Sequence, residues 1–217
     1  MPAGKPILFL RLEAPLQSWG DHSKWDYRDS SAFPSKSGLI GLFSCALGYG
    51  RKDPRISELS ASIKFAVRAD RPGVLMTDYQ TVQGDPVVNA EGDKRSSGNT
   101  IVTYRQYIQD ASFMVFAEGS EEILNRIAEA LENPVWLTFL GRKSCVPTKP
   151  LLPQISYEYQ SVNDAAEKTA PDDTVVYYET EMYNSDASYD RIDEAAGPCR
   201  LFSARRVALK KAGKEKC

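Results

Sequence analysis

The 217-residue sequence predicts an α+β fold, and three observations lead to that class. Short runs rich in Ile, Leu, Val and Phe recur between Gly- and Pro-containing turns, as strands do. Two other stretches place apolar residues at helical spacing behind a serine cap. Finally, the segments come in the order strand, helix, strand, long hairpin, strand, helix, strand.

The first strand is read at residues 7–12, and Ala14-Pro15 ends it. Residues 16–35 form a polar loop carrying Trp19, Trp25, Tyr27 and Phe33. Residues 38–47 place apolar side chains at 39, 40, 42, 43, 46 and 47, a helical pattern. Ser35 or Ser37 supplies its N-cap, and Gly48 and Gly50 stop it. Strands at 63–68 and 74–82 flank the Arg71-Pro72-Gly73 turn. Residues 84–100, rich in Gly, Asp, Asn and Ser, read as the tip of a long hairpin that returns over 101–108. A strand at 111–117 precedes a helix over 120–131, where Ser120 caps, Glu121 and Glu122 favour the helix start, and apolar residues recur at 123, 124, 127, 128 and 131. A last strand is expected at 135–140, with Gly141-Arg142-Lys143-Ser144 turning out of it.

This order is that of a ferredoxin-like, RRM-type domain with an inserted hairpin, expected over residues 1–150. Residues 151–217 read as a small, less regular β-rich region, with candidate strands at 174–182 and 201–209.

A hydrophobic fraction of 42% supports a packed core and excludes a disordered chain. No apolar stretch approaches the ~18 residues of a membrane span, and the N-terminus lacks a signal-peptide layout. The expectation is therefore a cytoplasmic protein away from membranes. Cys45, Cys145, Cys199 and Cys217 match no zinc spacing and read as reduced thiols. The net charge of -2 argues against a free-standing nucleic-acid binder. The charge is unevenly spread, however: residues 158–194 carry 2 basic and 11 acidic side chains, and residues 195–217 carry 7 basic and 1 acidic. That pattern fits a solvated loop before a frayed basic end, and equally a partner-binding pair.

His22 is the sole histidine, so a Ser-His-Asp or Cys-His dyad would have to use it, and nothing around it resembles a nucleophile elbow. No metal-ligand spacing, phosphate loop or dinucleotide fingerprint is present. No catalytic residue, metal or cofactor is expected. RNA binding is better supported, because single strands are held by cationic groups on phosphates and by aromatic faces under splayed bases. Three segments mix these ingredients. Gln17-Ser18-Trp19-Gly20 leads to Ser35-Lys36-Ser37-Gly38 at a helix N-terminus, which reads as a phosphate site or as an ordinary cap. In Thr103-Tyr104-Arg105-Gln106-Tyr107, Tyr104 and Gln106 share one strand face and Thr103, Arg105 and Tyr107 the other. Gly141-Arg142-Lys143-Ser144-Cys145 is a Gly-led basic turn suited to a phosphate, or simply a surface turn.

The motifs LRLEAPLQSWG, SAFPSKSGLIGLFSCALGYGR, TDYQTVQG, TYRQYIQDASF, LGRKSCVPTKPL and RLFSARRV resemble, in family order, the CasD family of type I-E CRISPR Cascade subunits. They cover most of residues 7–152 and the end of the chain; little of 158–198 takes part. The resemblance implies an RNA-binding RAMP domain whose hairpin thumb, about residues 78–107, folds over the guide RNA and kinks it. It implies a non-catalytic subunit for antiviral defence that caps the 5′ handle of the crRNA and touches target DNA only indirectly. Its implied neighbours are a CasC-type backbone subunit and a CasA-type large subunit. By motif position, the implied RNA-binding residues are Gln17, Trp19, Lys36, Ser37, Tyr79, Thr81, Tyr104, Arg105, Tyr107, Arg142, Lys143 and Ser144. The alternative is a metal-independent pre-crRNA endoribonuclease of the type I-C kind, with His22 as candidate base.

Overall fold

The computed structural model describes residues 4–84, 87–88, 92–94, 100–171, 173–179, 188–197 and 201–211. Its elements in chain order are β1 (Lys5–Glu13), β2 (Leu16–Gln17), β3 (Tyr27–Arg28), α1 (Lys36–Ala46), α2 (Arg55–Ser62), β4 (Lys64–Arg71), β5 (Val74–Gln83), β6 (Thr100–Gln109), β7 (Ser112–Glu118), α3 (Glu121–Glu132), β8 (Gln154–Tyr159), α4 (Val162–Lys168), β9 (Val175–Glu179), β10 (Ser188–Gly197) and β11 (Leu201–Lys211).

Seven strands form one antiparallel sheet in the order β10-β11-β9-β4-β7-β1-β8. Within it, β8-β1-β7-β4 with helices α1 and α3 is the ferredoxin-like unit, so the expected fold class stands. Strand β1, between β8 and β7, is buried along one face and in part on the other. Leu8, Leu10 and Leu12 point into the main core with Leu39, Ile40 and Phe43 of α1 and Leu124 and Ile127 of α3. Ile7 points the other way, into a second cluster with Phe116 of β7 and Val162, Ala165 and Ala166 of α4. Each fully buried leucine contributes about 1.5–3 kcal/mol, so this period-2 split fixes the register of β1 firmly.

Both helix caps follow the serines. Ser35, not Ser37, caps α1: its Oγ accepts from the Gly38 N–H at 3.2 Å. Ser120 Oγ accepts from the Ile123 N–H at 3.4 Å.

The fourth strand of the unit needs correction. Residues 135–140 form no strand, and β8 holds that place beside β1. Val135, Trp136 and Leu137 face outward, and the Val135 N–H is bonded to the Ala46 carbonyl at the end of α1 (2.9 Å). Strand-forming composition was misleading here, because only one segment can pair with that edge of β1. Helices α2 and α4 and strand β10 were not anticipated, and the polar loop over 16–35 includes the short strands β2 and β3. The described strands beyond residue 150 hydrogen-bond into the same sheet as β1, β4 and β7, so residue 150 marks no break in the sheet.

The acidic and basic segments meet in the β10–β11 hairpin. Arg206 pairs with Asp190 at 2.7 Å and Arg205 with Asp193 at 2.6 Å. Residues 212–217 of the basic end lie outside the described residues. Among the described residues no helix is long and apolar enough to cross a membrane.

Candidate nucleic-acid interface

A second sheet stands out from the core. Strands β5 and β6 pair in unbroken register from Val74↔Gln109 to Gln83↔Thr100. On the far side of β6, β2 adds antiparallel and β3 adds parallel. The Val88↔Lys94 bridge continues the hairpin, and residues 85–86, 89–91 and 95–99 of the expected tip lie outside the described residues.

Register sorts the side chains of this sheet into two faces. Tyr27, Tyr104 and Tyr79 lie side by side across β3, β6 and β5. All three are exposed, and the rings of Tyr79 and Tyr104 meet edge-on at 5.5 Å. The next cross-strand row, on the opposite face, is Arg28, Arg105 and Asp78.

Arg28 and Arg105 line a cleft of about 330 Å³ together with Ser18, Gly20, Ser23, Gly141 and Arg142. The Arg142 guanidinium lies 4.7 Å from the Tyr107 ring centre and donates to the Arg28 carbonyl (3.0 Å) and, more weakly, to that of Asp29 (3.4 Å). Arg142 Nη1 and Arg105 Nε are buried without a hydrogen-bond partner among the described residues. Three guanidiniums line this cleft, and among the described residues no carboxylate does, a composition suited to an anion.

Two features hold the walls in place. Gly141 has φ +88, and a Cβ there would fall 1.7 Å from the Ser18 carbonyl oxygen. The Ser18 N–H is bonded to the Leu140 carbonyl (3.2 Å), and Ser18 Oγ donates to the Gln106 carbonyl (3.0 Å). The loop between β2 and β3 is folded by Asp29, whose carboxylate accepts from the N–H groups of Asp21 and His22 and from Ser23 Oγ. Burial pushes the Asp29 carboxyl up, but the Ser23 hydroxyl and the two amides outweigh it and hold it below the ordinary value.

Segments 17–20, 103–107 and 141–145 therefore converge, although not every expected residue is accessible. Arg105 and Arg142 line the cleft, and Lys143 and Ser144 are exposed on the turn beside it. Tyr79 and Tyr104 form the aromatic row, with Thr81 exposed two residues along β5. Tyr107 is buried beneath Arg142.

Gln17 and Trp19 need correction as direct contacts. Gln17 is fully buried, its amide donating to the carbonyls of Leu12 and Ala111 while its oxygen accepts from the Trp19 indole (3.2 Å). Trp19 packs against Gly38 inside the core. Lys36 is corrected for a related reason. The N-terminus of α1 does attract an anion, but that anion is internal: the Asp193 carboxylate accepts from the Lys36 N–H at 2.7 Å. The buried Lys36 ammonium pairs with Glu194 (2.9 Å) and Glu179 (3.3 Å), and half-buried Ser37 sits 3.3 Å from the capping Ser35 hydroxyl.

Arg28 and Tyr27 were missed as candidates. The signal available was an aromatic-basic pair inside a loop, and nothing local places it beside β6. His22 is exposed and does not line the cleft. Among the described residues no cluster of His, Cys, Asp and Glu could hold a metal ion.

A ferredoxin-like core with a projecting hairpin and an arginine cleft at its foot defines a RAMP-type protein. The chain belongs to the family described as CRISPR-associated protein (Cas_Cas5), which matches residues 7–208, and within it is of the CasD type. It is 37% identical over 161 residues to the CRISPR system Cascade subunit CasD of Escherichia coli (strain K12), covering 68% of this chain and 70% of that relative. A solved structure described as a CRISPR RNA-guided surveillance complex contains a chain 31% identical, with a TM-score of 0.75 over 95% of this chain and 90% of that one. A second, a crystal structure of a Cas protein, is 32% identical with a TM-score of 0.71 over 96% of each chain.

Proposed function

We propose that this chain is a non-catalytic subunit of a type I-E Cascade that grips the 5′ handle of the crRNA. The observation that carries this reading is the convergence of Arg28, Arg105 and Arg142, from three separate segments of the chain, on one cleft. Planar guanidiniums match phosphate oxygens in geometry and charge. On the other face, Tyr27, Tyr104 and Tyr79 offer bases a stacking surface. The hairpin is then the thumb that folds over and kinks the guide where handle and spacer meet. A CasC-type backbone subunit and a CasA-type large subunit are its neighbours in the assembly, and target DNA is engaged only through them and the guide.

Alanine at Arg28, Arg105 and Arg142 together should abolish retention of guide RNA in the assembly co-expressed with its partner subunits. A repeat RNA recovered bound and intact after incubation with the purified chain fits a binding subunit. Cleavage that persists in EDTA and disappears in His22→Ala would replace this reading with the ribonuclease.

A further inference from the structure

The β10–β11 hairpin reaches the β2–β3 loop, which borders the arginine cleft, through the buried cation Arg191. Arg191 of β10 is 3% exposed, and its Nε lies 3.4 Å from an Asp21 oxygen and 3.3 Å from an Asp193 oxygen. Behind it, Arg205 of β11 holds Asp193 through Nε (2.6 Å) and Nη2 (3.0 Å), and both guanidiniums donate to the Tyr177 hydroxyl. Asp193 also closes the N-terminus of α1 through the Lys36 N–H. Arg191 is thus hydrogen-bonded to Tyr177 through Nη1 and lies at ion-pair distance from two carboxylates, Asp193 of its own strand and Asp21 of the β2–β3 loop.

That loop runs to the cleft. The Asp21 N–H is bonded to the Asp29 carboxylate (3.2 Å), and the carbonyls of Arg28 and Asp29 receive Arg142. We infer that Arg191, through Asp21, is a positioning residue for the RNA cleft, and that the C-terminal hairpin serves to hold the loop that presents Arg28. This rests on the cleft being the RNA site. It gives the acidic segment a role other than partner binding.

Charge alone makes the opposite forecast for Asp21. A carboxylate close to an RNA site repels phosphate, so neutralising it should tighten binding. If Asp21 positions the loop, Asp21→Asn should weaken binding although a negative charge has been removed.

The probe is a labelled single-stranded RNA carrying the 5′ repeat segment of a guide, titrated against the full chain at fixed salt, with melting curves alongside. Asp21→Asn should bind at least about fivefold more weakly, Asp21→Glu should recover most of that loss, and both should melt close to the parent. Arg191→Lys, which keeps the charge but loses the fork, should weaken binding in the same direction. Binding by Asp21→Asn that is unchanged or tighter, while Arg142→Ala binds poorly, overturns the inference and spares the cleft. A loss that follows a fall in melting temperature makes Asp21 merely structural and also overturns it. If Arg142→Ala binds like the parent, the cleft reading itself fails and this inference with it.

Discussion

Gly141 and Ser18 approach so closely that a Cβ on residue 141 would sit 1.7 Å from the Ser18 carbonyl oxygen. The contact welds the basic turn to the start of the β2–β3 loop, and residue 141 also has φ +88. Gly141→Ala should therefore cost about 2 kcal/mol or more from backbone strain and displacement of Ser18. In a chain of this size that lowers the melting temperature by about 5 °C or more. RNA affinity should fall further than stability does, because Arg142 moves with the turn. A melting curve beside an RNA titration checks both.

The salt dependence of RNA binding separates cleft arginines from the buried lysine. If three phosphates are neutralised, the log-log slope on single-stranded RNA is about -2, at ~0.7 per contact. Arg28→Ala, Arg105→Ala and Arg142→Ala should each shallow that slope by about 0.7. Lys36→Ala should leave the slope unchanged. It should instead lower the melting temperature, since partly exposed Glu194 and Glu179 lose a shared buried cation, although Glu179 keeps Arg205 at 3.5 Å. A slope change in Lys36→Ala would mean that this ammonium reaches RNA.

The aromatic row predicts the complementary signature. Replacing Tyr79 or Tyr104 by Ala should weaken binding by about 1–3 kcal/mol per stacked base while leaving the salt slope unaltered. Both rings are exposed, so the melting temperature should hardly move. Unchanged affinity with impaired assembly would point to a protein neighbour on this face.

The hairpin tip should be separable from the fold. The continuous β5–β6 ladder ends at Gln83↔Thr100; the Val88↔Lys94 bridge and buried Val87 lie beyond it, outside both core clusters, so residues 84–99 can be exchanged for a short Gly-Ser turn. Loop closure depends only weakly on length, and the melting temperature should stay within a few degrees. Assembly with guide RNA should weaken, as seen by size exclusion of the co-expressed complex. A collapse in melting temperature would mean that the tip is part of the core.

His22 should be dispensable for guide maturation. Its side chain is 85% exposed and does not line the cleft. Normal mature guide from an operon carrying His22→Ala is the expected result; its disappearance with the protein still folded would restore the ribonuclease.

Much of the architecture was written in local patterns. The split of Ile7 from Leu8, Leu10 and Leu12 is a period-2 signal, and α3 announces itself by Ser120, Glu121 and Glu122. Such signals are legible because backbone sterics and capping act over a few residues. The sequence also marked residues 17–20, 103–107 and 141–145, which meet at the cleft, although residues 35–38, read together with 17–20, do not line it. Tertiary structure alone decided which of their side chains face out. Lys36 and Arg142 look alike as cations beside glycine and serine, yet Lys36 is spent on Glu179 and Glu194 while Arg142 opens into the cleft. It likewise gave the place beside β1 to 154–159 and not to 135–140, and brought Arg28 beside Arg105. Those outcomes depend on partners distant in sequence: a carboxylate more than 140 positions away, or an edge that admits one strand, leaves no trace in the residues nearby.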